Sequence, residues 1–150
     1  MTGQLSQTDE QALKYSQASI METATFYVGD LCHVLTDSEW DAVCAGDLDG
    51  EDHLDPEDYD PRDQESGRPY SIFRTEHGDG WYSDSEGKRY GVDSGTIGCI
   101  KAEYISDITL LQAALNKGLG HLHELDTYAV GDAACDGGIM YFDTVCIETA

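Results

Sequence analysis

Apolar residues fall in short runs separated by Gly, Asp and Ser, the pattern of a chain built from strands and a few short helices. Order begins near Thr25. Phe26-Tyr27-Val28, then Gly29-Asp30, then Leu31-Cys32-His33-Val34-Leu35 reads as strand, tight turn or bulge, strand. Trp40, Val43 and Cys44 then recur at helical spacing. Thr36 or Asp37 caps this helix, Asp37 and Glu39 occupy the first turn, where the helix dipole favours negative charge, and Gly46 ends it. Asp55-Pro56-Glu57-Asp58 has the form of a single capped helical turn, stopped by Pro61.

Tyr70–Thr75 reads as a strand, and Gly80–Ser83 and Lys88–Val92 as a hairpin around Asp84–Gly87 with Gly87 left-handed. Thr96–Ile105 is the longest expected strand. Ser106 is the expected cap of a helix through Asn116, with Ile108, Leu111 and Leu115 on one face, Lys117 closing the last turn and Gly118 just past it. His121–Val130 and Ile139–Glu148 read as two final strands around a Gly131–Gly138 loop. The sum is an α+β fold: a single curved, mostly antiparallel sheet with two short helices and a long acidic loop. The 150 residues suit one domain over 24–150, with the acidic loop at 46–68 and a polar, flexible N-terminal arm over 1–23.

Charge changes this picture most. The chain has 30 Asp+Glu against 8 Lys+Arg, a formal net charge of −22. Folding works against that self-repulsion, so added salt is expected to stabilise the chain. Ten of the acids, with Arg62 the only base among them, stand in the nineteen residues from Asp47 to Glu65. Such a field attracts basic surfaces and disfavours direct nucleic-acid or membrane binding. Duplex DNA carries one charge per about 1.7 Å of axis, while ten acids along an extended chain fall about 6 Å apart. The segment therefore needs other carboxylates beside it to imitate a duplex. The expected partner-binding set is Asp37, Glu39 and Asp41 on the first helix; Asp47, Asp49, Glu51, Asp52, Asp55, Glu57, Asp58, Asp60, Asp63 and Glu65; and Asp79, Asp84 and Glu86 at the hairpin, with Tyr59 as an exposed aromatic anchor.

Other chemistry has weaker signals. Asp47-x-Asp49-Gly50 fails as a calcium-binding loop: with Gly50 at the sixth position, the first is Ala45 and the twelfth is Pro56. His121-x-His123 with His33 or His77 has the composition of a zinc site without a motif spacing. Asp93-Ser94-Gly95 has the form of the aspartic-protease triplet, whose chemistry needs a second copy and hence a dimer. No nucleophile elbow, phosphate-binding loop or dinucleotide fingerprint is present. Five cysteines, an odd number with no C-x-x-C pair, point to reduced thiols, and with no signal-peptide pattern or membrane-length apolar run the expected location is the cytoplasm.

Phe26–Cys44 (FYVGDLCHVLTDSEWDAVC) resembles the opening of a group of small acidic proteins from bacterial and phage genomes, and Gly78–Cys99 (GDGWYSDSEGKRYGVDSGTIGC) is similar to their second shared block. The two blocks cover about a quarter of the chain. No activity attaches to that group, so no site residue follows from it. The resemblance implies a mobile-element setting, in which small acidic proteins inhibit CRISPR effectors or restriction enzymes. The expectation is a non-enzymatic, DNA-mimic-like inhibitor of a nuclease or host defence complex, using no cofactor or metal. The alternatives are a dimeric hydrolase using Asp93 and an acidic housekeeping protein.

Overall fold

A computed structural model describes residues 22–45 and 70–150. The expected arm, as far as residue 21, and the acidic loop over 46–68, including its single helical turn, lie outside the described residues. Within them the fold is α+β and all strand pairing is antiparallel, but the strands divide between two sheets rather than forming one. The first holds β1 (Thr23–Gly29), β2 (Tyr70–Arg74), β5 (Thr96–Lys101) and β6 (Gly120–Asp126), in the order β2-β5-β1-β6. The second holds β3 (Gly80–Asp84), β4 (Arg89–Val92), β7 (Ala134–Asp136), β8 (Ile139–Phe142) and β9 (Val145–Glu148), in the order β4-β3-β9-β8-β7. The helices are α1 (Asp37–Val43) and α2 (Ile108–Asn116).

The first sheet is apolar on both faces, and that dictates three layers. On one face Phe26, Val28, Ile97, Cys99 and Leu125 meet Tyr90, Val92, Met140, Phe142, Val145 and Ile147 of the second sheet. On the other, Tyr27 and Ile100 are covered by Leu31, Val34, Leu35, Val43, Ile105, Leu111 and Ala114. Two glycines make this second contact possible. A Cβ on Gly98 would stand 2.7 Å from Leu31, and one on Gly120 would stand 2.2 Å from the Tyr27 hydroxyl. Removing two β-carbons lets two large side chains lie flat on the sheet.

Six expected elements differ, two of them simply: the strand expected over His121–Val130 ends at Asp126, and the expected Gly131–Gly138 loop contains β7. Leu31–Leu35 is not a strand: Leu31–His33 forms a 3-10 turn because the Asp30 side chain accepts the Cys32 N–H at 3.0 Å and its carbonyl accepts that of His33 at 3.1 Å. This tight winding brings Leu31, Val34 and Leu35 together in the core. Ile139–Glu148 is not one strand but the hairpin β8–β9, reversed at Asp143, which adopts φ 55°. β5 ends at Lys101, and a 3-10 turn over Ala102–Tyr104 follows. α2 is capped by Asp107, which accepts from the Thr109 N–H, rather than by Ser106; its Ile108 is 56 % exposed, so Leu111 and Ala114 form the buried face. The β3–β4 hairpin, left-handed Gly87 and the Lys117–Gly118 helix end are as the sequence predicts.

Candidate functional site: carboxylates at the two ends of the first sheet

The register of the first sheet defines two ends. β2 begins at Tyr70, opposite Ile100, and finishes at Arg74, opposite Thr96; β1 finishes at Gly29, opposite Gly98. Asp30 therefore lies at the Arg74 end, and the acidic stretch rejoins the sheet at the Tyr70 end. α1 sits at the Tyr70 end as well: the Ser106 hydroxyl, just beyond the Lys101 end of β5, donates to Glu39 Oε2 at 2.8 Å. The described chain stops at Ala45, two residues past α1, and resumes at Tyr70, the first residue of β2.

The described members of the expected partner-binding set, Asp37, Glu39, Asp41, Asp79, Asp84 and Glu86, stand in different settings. Asp37 and Asp41 are exposed on α1 at the Tyr70 end. Glu39 belongs to the capping box, in which Thr36 Oγ1 accepts the Glu39 N–H and Glu39 Oε1 accepts the Thr36 N–H at 2.8 Å. The Thr36 N–H, outweighing partial burial, holds its carboxyl below the usual range. Asp84 is 9 % exposed and spent inside the fold. It accepts the Tyr90 hydroxyl at 2.7 Å and the N–H groups of Glu86 and Lys88 at 2.9 Å. Burial pushes its carboxyl up, but those donors together outweigh it and hold the group below its ordinary value. Glu86 is exposed in the β3–β4 turn. Asp79 precedes the opposite end of β3, beside the Asp93–Gly95 turn, where a Cβ on Gly95 would lie 3.9 Å from its Oδ1. Asp47, Asp49, Glu51, Asp52, Asp55, Glu57, Asp58, Tyr59, Asp60, Asp63 and Glu65 fall outside the described residues.

The other end is organised by a residue that sequence reading took for a turn former. Asp30 is fully buried. Its Oδ1 accepts the Cys32 N–H at 3.0 Å and the Ser94 hydroxyl at 2.7 Å; its Oδ2 accepts the N–H groups of Asp93 at 2.8 Å and Ser94 at 2.7 Å. The Asp-Ser-Gly triplet is thus a turn between β4 and β5 that presents its amides to a buried carboxylate. The Asp93 side chain is 72 % exposed and accepts His33 Nε2–H at 2.7 Å. Burial first, and the neighbouring Asp30 charge second, push the Cys32 thiol well above its ordinary range, so this is not an activated nucleophile.

The two strand histidines lie elsewhere. His121 Nε2–H donates to the Arg89 carbonyl at 2.7 Å. His123 Nε2 lies 2.9 Å from the Tyr90 hydroxyl, whose proton goes to Asp84, making a polar chain through the interior. Desolvation, offset in part by Asp84, lowers the His123 pKa and keeps the ring neutral. Among the described residues His121 and His123 do not join a metal-ligand cluster. Cys32, Cys99, Cys135 and Cys146 are free thiols. No known protein family, curated protein or solved structure matches the chain. No helix among the described residues is long and apolar enough to cross a membrane.

Proposed function

We propose that this protein is a non-enzymatic inhibitor that binds the basic nucleic-acid-binding surface of a nuclease or defence complex through its Tyr70 end. One observation supports this reading: α1, with Asp37 and Asp41 exposed, meets Ser106 beyond the Lys101 end of β5, and β2, the first described strand after the ten-acid stretch, begins at that same end. The reading draws its added carboxylates from α1 alone. Glu39 and Asp84 are consumed by hydrogen bonds within the fold, and Asp79 stands beside the Asp93–Gly95 turn at the Arg74 end.

Binding of this kind is steered by charge, so it weakens steeply with salt and is displaced by competing nucleic acid. The test replaces Asp37, Asp41 and six acids of Asp47–Glu65 with Asn or Gln and measures partner capture and nuclease inhibition at low salt. We expect at least a tenfold loss of affinity with the fold intact by circular dichroism. Unchanged capture by the neutralised chain would refute the reading.

A further inference from the structure

Asp30, Cys32 and His33 each place one potential ligand atom within 4.8 Å of the other two. The 3-10 turn over Leu31–His33 produces this convergence by winding Cys32 and His33 back toward Asp30. His33 is arranged as a ligand. Asp93 Oδ2 accepts from its Nε2 at 2.7 Å, which fixes the proton there and leaves a lone pair on Nδ1. Nδ1 is buried and has no hydrogen-bond partner. A carboxylate on one ring nitrogen and an open lone pair on the other is how proteins orient metal-binding histidines. An unpartnered buried acceptor is otherwise a net cost.

Asp30 has a lone pair to release. Its Oδ1 holds the Ser94 hydroxyl, but Ser94 Oγ also lies 2.7 Å from Thr96 Oγ1, so its proton has an alternative partner. The remaining hydrogen bonds on Asp30 are to backbone amides and would hold the carboxylate in place. Charge points the same way. Asp30 and Asp93 both bond to this turn, Asp30 to the Cys32 N–H and Asp93 to His33, and a divalent cation would offset their negative charge and bind the thiol as thiolate, releasing its proton.

We propose that Asp30, Cys32 and His33 form a binding site for one zinc-class divalent ion, with Asp93 as the positioning residue behind His33. One sulfur, one imidazole nitrogen and one carboxylate oxygen make a zinc-type donor set with a fourth position open to water. Zinc bond lengths of about 2.0–2.3 Å require tetrahedral donors roughly 3.3–3.8 Å apart, so the three atoms need to close by about 1 Å. The site draws no ligand from residues 47–65 and does not depend on the inhibitor reading.

The experiment uses the full chain with Cys44, Cys135 and Cys146 replaced by Ser, in high salt with excess Mg2+ to occupy surface acids. Zn2+ is titrated against a chromophoric chelator, and Co2+ is added as a spectroscopic probe. The expected result is one Zn2+ per chain and a thiolate-to-cobalt charge-transfer band. Both are lost in Cys32→Ser and His33→Ala, and both persist when six acids of Asp47–Glu65 are neutralised. Asp93→Asn weakens Zn2+ about tenfold or more while keeping the band. Uptake without the thiolate band, or uptake that vanishes with the neutralised acids, overturns the site. If Cys32→Ser fails to fold, the cobalt spectrum of the parent chain decides alone.

Discussion

Asp30 and Asp37 flank one short stretch of chain and show two opposite uses of a carboxylate. Asp30 is sealed at one end of the first sheet, with both oxygens filled by donors from Cys32, Asp93 and Ser94. Asp37 stands in solvent at the start of α1, the helix that precedes the ten-acid stretch in the chain. A buried carboxylate survives only when fully hydrogen-bonded, and then it fixes the geometry around it. An exposed one contributes little to the fold and much to the field that a partner meets.

The sharpest way to break this contrast is Asp30→Ala, which strands three backbone amides in the interior. We expect a loss of about 3–5 kcal/mol in urea unfolding. A loss under 1 kcal/mol would mean that the cradle is incidental. Asp84 is the intermediate case, and Asp84→Asn is expected to cost about 2 kcal/mol at neutral pH. The sign of its pH dependence follows from the depressed carboxyl. Below the folded-state value both folded and unfolded chains hold the proton, so the stabilisation by the charged form is gone. Above the ordinary carboxylate value of about 3.9 it is fully present. The gap between wild type and Asp84→Asn should therefore narrow as pH falls below about 4, and a constant gap would assign Asp84 a purely steric role. The smallest effect belongs to the exposed end. Asp37→Asn with Asp41→Asn is expected to shift stability by no more than about 0.5 kcal/mol, toward greater stability at low salt; a larger loss would show that α1 relies on these charges.

The parts of this fold legible in the sequence are those decided within a few residues. Thr36 and Glu39 sit three apart, and the capping box they form was open to reading, although Glu39 was assigned to a partner instead. Gly87 and Gly118 announce their turns in the same way. What could not be read depends on distant chain. The apolar run Leu31–Leu35 suits a strand as well as a turn, and Asp30 decides between them only because Asp93 and Ser94 arrive from across the sheet. The reversal at Asp143 carries no Gly or Pro to mark it, so the last hairpin looked like one strand. Asp84 reads as a surface charge in a turn, and only Tyr90 and the turn amides closing on it make it a buried one.

The strand order has a consequence for how copies of this chain meet one another. Each sheet has two margins, and unpaired margins invite neighbouring molecules to add strands. β7 offers only three residues. β4 and β6 shield one another, with the Gly91 N–H on the Leu119 carbonyl and His121 on the Arg89 carbonyl. Among the described strands, β2 is the other margin of the first sheet, a five-residue strand that follows the most acidic part of the sequence. Neutralising the acids of Asp47–Glu65 removes net negative charge that keeps copies of this chain apart, so neutralised variants belong in dilute solution.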